Sequence, residues 1–119
     1  MKKKLKVNSH DLIPKKWGHE IIYYNKKYCF KELCFQPKAF TSMHKHKKKK
    51  ETFVAKDEGF SLEYVDSVTN ISYKIPLLVN QSYTLKPNTW HRICNDTNNM
   101  LTLIEVSTHH SDFDVRRME

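Results

Sequence analysis

The chain has 119 residues, which is enough for one packed domain and too few for two. Hydrophobic residues make up 39% of it and aromatic residues 12%, which excludes a largely disordered chain. Lys and Arg number 21 against 13 Asp and Glu, and the resulting net charge of +8 favours anionic partners without specifying which anion.

Residues 1–16 contain few apolar side chains and are expected to form an N-terminal arm or a first edge strand, with the folded domain over residues 17–119. The start is rich in lysine but lacks the apolar run of a signal peptide, and no apolar segment is long enough to cross a membrane. We therefore expect a cytoplasmic protein without a membrane partner. The three cysteines have no CxxC spacing, so they are expected to be small buried side chains.

From Trp17 onward, short segments rich in β-branched and aromatic residues alternate with turns. Examples are EIIYYN, KYCFKELCFQ, ETFVAK, FSLEYV, ISYKI and LTLIEVS. Their lengths and regular interruptions predict an all-β sandwich or barrel with little or no helix. The last segment, SDFDVRRME, is compatible with a turn of helix or with a closing strand.

The stretch SMHKHKKKKETF places two histidines one residue apart and a glutamate after four lysines. In a strand, His44 and His46 lie on the same face. If the lysines form a hairpin connection, Glu51 begins the next strand and its carboxylate comes level with the two imidazoles. Two imidazoles and a carboxylate suit Fe(II), Mn(II), Ni(II), Co(II) or Zn(II). The alternative is a solvated basic loop whose histidines bind nothing.

A further histidine, His91, follows the Pro-Asn turn of KPNTWHRICN, at the start of another predicted strand. A rolled β-sheet can bring it to the same point as His44 and His46. Spacing alone does not prove that convergence.

The order of these motifs resembles that of the cupin superfamily: HxH, four residues, Glu, and a turn followed by His 40 residues later. The segments KWGHE, KYCFKELCFQPKAFTSMHKH, ETFVAKDEGF, LKPNTWHRICN, LTLIEVS and DFDVRR are similar to the cupin domain of type II phosphomannose isomerases and to small single-domain cupins. The resemblance implies a single-domain jelly-roll β-barrel. It also implies one divalent metal ion, Zn, Mn, Fe, Co or Ni, held by His44, His46, Glu51 and His91, with Asn95 closing the second motif.

The chain departs from the family pattern at its glycines. Motif glycines fall on Lys38, Asn80 and Asn88, and the glycine that closes the first motif is displaced to Gly59. Asparagine tolerates the left-handed backbone conformation that glycine adopts, whereas lysine does so less readily. The loop before the first motif is therefore expected to differ from the family. Type II isomerases usually also carry a nucleotidyltransferase domain with a Gly-rich phosphate loop, and two glycines exclude that activity here.

The resemblance further implies a sugar or sugar-phosphate isomerase similar to mannose-6-phosphate isomerase. The metal would stabilise charge that develops on substrate oxygens in the transition state. The substrate would be a small anionic carbohydrate, and Lys31, Arg92 and Arg116 are the candidate cations for its phosphate because each lies in a matching segment. Strand alternation turns Arg92 away from His91 unless the turn continues.

Two other functions stay open at this point. The same four ligands suit a non-haem Fe(II) dioxygenase of a small molecule, and a non-catalytic module that binds a sugar or nucleotide sugar would need no chemistry at all. No nucleic-acid-binding motif accompanies the positive charge, so no specific nucleic acid is expected. The segment KYCFKELCF is apolar on both faces, which, with the pairing common among cupins, predicts a homodimer.

Overall fold

The structure is a computed structural model in which residues 5–118 are described. The predicted arm and domain extend into residues 1–4 and 119, which lie outside the described residues. Within residues 5–118 the chain forms β1 (Asp11–Lys15), β2 (Gly18–Asn25), β3 (Tyr28–Phe35), β4 (His44–His46), β5 (Glu51–Ala55), β6 (Phe60–Val65), β7 (Ser72–Pro76), β8 (Ser82–Leu85), β9 (His91–Asn95), β10 (Leu101–Thr108), a short 3₁₀ helix (Asp112–Asp114) and β11 (Val115–Arg117).

The strands form two antiparallel sheets. One has the order β1-β2-β3-β10-β5-β8 and the other the order β11-β4-β9-β6-β7. The prediction of an all-β fold with little helix is confirmed. The final segment contains both of the expected alternatives, because the 3₁₀ turn leads directly into β11, which pairs with β4.

The inward faces of the strands change from apolar to polar along their length, and this change positions the site. Along β10, Leu101 and Leu103 pack in the core, and Glu105 follows on the same face. Along β5, Phe53 is in the core and Glu51 precedes it on the same face. One end of the space between the sheets is therefore a hydrophobic core, and the other is lined by buried polar groups.

The lysine run connects two different sheets rather than two strands of a hairpin. β4 belongs to the five-stranded sheet and β5 to the six-stranded sheet, so residues 47–50 cross from one layer to the other. The expectation of a hairpin is wrong. The crossing still brings Glu51 towards the histidines, because both strands present these side chains to the space between the sheets.

Three turns keep the backbone conformation that glycine would supply. Lys38, Asn80 and Asn88 have φ values of 59°, 63° and 63°. The two asparagines adopt the left-handed region as expected, and Lys38 adopts it as well. The loop before the first motif therefore retains the conformation that a glycine would give it, although the residue differs.

The remaining expectations about architecture concern the first strand, the cysteines and membrane-spanning segments. β1 lies at the edge of the six-stranded sheet and pairs with β2. Cys29, Cys34 and Cys94 are free and buried, as predicted. None of the helical residues between 5 and 118 forms a segment long and apolar enough to span a bilayer.

Candidate metal centre and cavity

Three histidines converge between the sheets. His44 and His46 lie on β4, and His91 begins β9 directly opposite His44 in the antiparallel pair. One ring nitrogen from each residue lies within 4.8 Å of the others, so the three side chains could hold a metal ion. Strand pairing thus supplies the convergence that spacing alone did not establish.

Backbone carbonyls set the tautomers of two of these histidines. His44 Nδ1 lies 2.7 Å from the carbonyl oxygen of Ser42, and His91 Nδ1 lies 2.8 Å from that of Thr89. A carbonyl only accepts hydrogen bonds, so each Nδ1 carries a proton, and in the neutral imidazole each Nε2 keeps a lone pair. This outer hydrogen bond is the usual support of a metal-binding histidine.

Buried ring nitrogens without partners fit the same interpretation. His91 Nε2 and His46 Nδ1 are both buried and lack a hydrogen-bond partner among the described residues. Buried polar atoms are nearly always satisfied in folded proteins, so unsatisfied imidazole nitrogens here indicate a missing partner. A divalent cation is the partner that neutral imidazoles suit.

Glu51 lies against this group. Its Oε1 atom is 3.3 Å from Nε2 of His46 and 3.3 Å from Nε2 of His91. The side chain is 3% exposed and reaches this position because Glu51 begins β5 opposite Ser107 of β10. A carboxylate next to three imidazoles completes the kind of donor set that binds Zn, Mn, Fe, Co or Ni.

Burial keeps two of the histidines neutral at physiological pH. Burial, followed by the charge of His91, lowers the pKa of His44 to about 4. Burial, followed by the charge of Lys49, lowers the pKa of His46 to about 2. Neutral imidazole is the form that binds metal, so both residues are ready to act as ligands without losing a proton.

The pKa values of Glu51 and His91 shift upward instead. Burial, followed by the charge of Glu105, raises the pKa of Glu51. Burial opposes the charged form of His91, but the adjacent Glu51 carboxylate outweighs it and raises the pKa of that histidine. The Glu51 carboxylate therefore favours the protonated form of His91 in the absence of a metal, and metal binding would displace that proton.

One residue of the lysine run is buried in the site. Lys49 is 3% exposed, whereas Lys47, Lys48 and Lys50 are exposed. Its Nζ atom lies 2.8 Å from Oε2 of Glu105. The alternative of a solvated basic loop is therefore wrong at this position.

The C-terminal segment holds the lysine run, residues 47–50, in place. The backbone N–H groups of Lys48 and Lys49 donate to the Asp114 carboxylate over 3.0–3.1 Å. The N–H of Lys50 donates to Thr108 Oγ1 over 3.1 Å. These bonds determine which lysine side chain points inward, because they orient the loop backbone.

The histidines, Glu51 and Lys49 line one cavity of about 860 Å³. That volume lies within the range of small-molecule sites. Its wall also includes Lys31, Glu20 and Arg117.

The three candidate substrate cations lie in different places. Lys31 is buried and lines the cavity, with Nζ 3.5 Å from Oε1 of Glu20. Arg92 lies on the opposite face of β9 from His91, outside the cavity lining, and its Nε donates to Glu63 over 2.7 Å. Arg116 is exposed on β11 between two residues that line the cavity, and strand alternation directs it to the other face. Of the three, the structure brings Lys31 to the histidines' cavity.

Sequence reasoning did not identify Lys49, Glu105, Glu20 or His110, all of which line the cavity. A signal existed for Glu105, because the alternation in LTLIEVS places this carboxylate on the same face as two core leucines. A charged residue on the buried face of a strand is rarely incidental. No comparable signal distinguishes Lys49 from its three lysine neighbours.

The sequence profile of the family described as "Mannose-6-phosphate isomerase C-terminal" matches residues 2–119. None of the curated proteins matches the chain.

Solved cupin structures share the fold. The capsular polysaccharide assembling protein CapF from Staphylococcus aureus superposes with a TM-score of 0.78 at 14% identity, over 93% of this chain and 33% of CapF. Oxalate decarboxylase from Bacillus subtilis superposes with a TM-score of 0.80 at 13% identity, over 92% of this chain and 30% of the enzyme. Recombinant oxalate oxidase superposes with a TM-score of 0.68 at 11% identity, over 76% of this chain and 46% of the oxidase. The chain thus spans a third to a half of these proteins, and the likeness confirms the predicted cupin fold.

Proposed function

The chain belongs to the mannose-6-phosphate isomerase C-terminal family, and on that premise we propose that it is a metal-dependent isomerase of a sugar or sugar phosphate. The observation that carries the proposal is the group of three histidines, two of which have an unpaired buried ring nitrogen, at the wall of a cavity of about 860 Å³. Such a cavity accommodates a monosaccharide or its phosphate.

His44, His46, His91 and Glu51 would hold the metal ion. Three neutral imidazoles and one carboxylate leave coordination positions open on a six-coordinate ion, which a substrate can occupy. Once bound, the ion supplies Lewis-acid polarisation of the substrate's carbonyl and hydroxyl oxygens. The protein's own contribution is the fixed orientation of the four ligands, which the carbonyls of Ser42 and Thr89 support for two of them.

Lys31 is the residue we propose to bind the anionic part of the substrate. Its ammonium group lies in the cavity wall and is 3% exposed, so its charge is little screened by water. Its nearest carboxylate, on Glu20, is 3.5 Å away, which is a loose ion pair. Arg92 and Arg116 are not part of this proposal because their side chains do not line the cavity. CapF, which shares the fold, is a capsular polysaccharide assembling protein, and this is a further reason to favour a carbohydrate.

We also propose that two copies pair through the outer face of the six-stranded sheet. Val106 lies directly opposite Phe30 in the β10–β3 pair, on the face away from the cavity, and is 41% exposed. An exposed apolar face of this kind is stabilised by burial against a second copy. Light scattering of the wild type and of V106K tests this, and two monomeric species would refute it.

Metal content is the first test of the proposed function. The wild type is expected to bind about one divalent ion per chain, and H44A/H91A almost none. H109A is the matched control, because His109 is an exposed histidine outside the site. A wild type that is metal-free and also refuses added Mn(II), Fe(II), Co(II), Ni(II) and Zn(II) would exclude a metal-dependent enzyme and favour a binding module.

Turnover then separates the enzyme classes. The metal-loaded protein is expected to interconvert aldose and ketose forms of a hexose or pentose phosphate under anaerobic conditions, with the product followed by NMR. Oxygen consumption with the Fe(II) form, without anaerobic isomerisation, would instead establish a dioxygenase. The K31M variant is expected to raise KM for a sugar phosphate more than for the free sugar.

A further inference from the structure

We propose that the Lys49 ammonium occupies a second cation site beside the three-histidine group, so that Glu51 bridges one exchangeable metal ion and one tethered positive charge. This inference rests on the proposed function, since it takes the histidines to bind a metal. It assigns a role to a buried lysine that the isomerase proposal does not use.

Three side chains of the kinds that bind metal ions surround the Lys49 ammonium. Lys49 Nζ lies 2.8 Å from Oε2 of Glu105, 3.1 Å from Nδ1 of His110 and 3.7 Å from Oε2 of Glu51. The lysine side chain is 2% exposed and both carboxylates are nearly as buried. Two carboxylates and an imidazole nitrogen form the donor set of a divalent transition metal. Here the set encloses a covalently attached cation.

His110 presents a lone pair to this position. An ammonium group only donates, so Nδ1 of His110 accepts from Lys49 and Nε2 carries the proton. That Nε2–H donates to Oδ1 of Asp112 over 3.0 Å. A carboxylate that fixes the far nitrogen of an imidazole is the arrangement found behind metal-binding histidines. His110 therefore has the tautomer and support of a ligand, with an ammonium in the place of the ion.

Glu51 connects the two positions. Its Oε1 atom lies 3.3 Å from His46 and from His91, and its Oε2 atom faces Lys49. A carboxylate shared between two cations is a common feature of two-metal sites. The cluster of Glu51, Glu105 and Lys49 has a formal charge of −1, which a single divalent ion converts to +1. Without Lys49 the charge would be −2, and the first divalent ion would bring it to 0 rather than +1. A second divalent ion would then bind without net repulsion from the cluster.

The functional consequence is a permanent positive charge next to the exchangeable metal. Two adjacent cations stabilise negative charge on a substrate oxygen more strongly than one. A tethered ammonium provides the second charge without a second metal ion that could dissociate. It also limits the chain to one metal ion.

Removal of Lys49 is the direct test. K49A, loaded with Mn(II), is expected to bind two ions per chain where the wild type binds one. Its electron paramagnetic resonance spectrum should change from that of an isolated Mn(II) ion to that of an exchange-coupled pair. K48A is the matched control, since Lys48 is the exposed neighbour in the same run, and it should stay at one ion. K49A/E105A should return to one ion, because a donor of the second set is lost.

The outcomes distinguish this inference from the proposed function. A wild type that binds no metal refutes the proposed function, whereas one uncoupled ion in both the wild type and K49A refutes only the role of Lys49. If K49A does not fold, the affinity of K49M for its first Mn(II) tests the role of Lys49, because methionine is close to lysine in length and shape but carries no charge. Loss of the neighbouring charge should tighten binding of the first Mn(II) by about tenfold. Unchanged or weaker binding would show that Lys49 merely positions Glu51, and would overturn the proposal.

Discussion

Replacement of Asn95 by alanine is expected to destabilise the fold strongly while leaving the metal site in the folded molecules intact. Asn95 is 2% exposed at the end of β9. Its Nδ2 group donates to the carbonyl oxygens of Phe35, Gln36 and Asn99 over 3.3, 2.9 and 2.7 Å. Its Oδ1 atom accepts from the N–H and the hydroxyl of Thr97 over 2.9 and 2.8 Å. One amide thus ties the end of β3 to the loop between β9 and β10.

The size of the effect follows from the groups left without a partner. An amide has two N–H hydrogens, so the three carbonyls share two donors, and about four effective hydrogen bonds are lost. A typical intramolecular hydrogen bond contributes about 1 kcal/mol net, and buried groups left unpaired cost more. Some carbonyls keep a second donor, as Gln36 does from the N–H of Ala39. We therefore expect a loss of about 3–4 kcal/mol in the free energy of unfolding.

Urea unfolding of the metal-free protein, followed by circular dichroism, measures this loss. N98A is the matched control, because Asn98 is exposed in the same loop and its replacement should change stability by less than about 0.5 kcal/mol. N95D keeps the acceptor but replaces the two donors with a buried charge, so it should be at least as destabilised as N95A. A loss below about 1 kcal/mol in N95A would refute the argument that this amide joins the end of β3 to the loop between β9 and β10.

Two further predictions concern the loop and the histidines. D114A removes the carboxylate that accepts from the N–H groups of Lys48 and Lys49. We expect the free energy of unfolding, measured with urea, to fall by about 1–2 kcal/mol, and metal binding, measured by calorimetry, to weaken. Unchanged metal affinity in D114A would contradict the role of this carboxylate in placing the loop. The metal-free protein should also lose stability as the pH falls from 6.5 towards 4, because the pKa of His44 is lowered from 6.5 to about 4 and the unfolded chain binds more protons in that window. The His44 contribution to the free energy of unfolding is about 3 kcal/mol. The raised pKa of His91 changes stability mainly above pH 6.5, where the folded chain binds the additional proton, so the comparison with H44Q below that pH isolates the effect. An identical pH dependence in wild type and H44Q would refute it.

Local patterns in the chain were sufficient for the fold class and for the placement of the histidines on strands. Alternation in a strand depends only on backbone geometry, so His44 and His46 were assigned to one face correctly. The asparagines at glycine positions adopt the expected backbone conformation for a similarly local reason. His91 was found through the order of the motifs, and the pairing of β4 with β9 places it opposite His44.

The tertiary structure alone decided which charged residues face the cavity. Four consecutive lysines are equivalent in sequence, and Lys49 is buried because the loop crosses between the sheets and its backbone is held by Asp114. Likewise, Lys31 and Arg92 both lie in segments that match the family, but only Lys31 lines the cavity. The direction of a side chain within a strand is a local property. Whether that direction leads to solvent, core or cavity depends on what the other sheet places opposite it, and that information is spread over residues far apart in the chain.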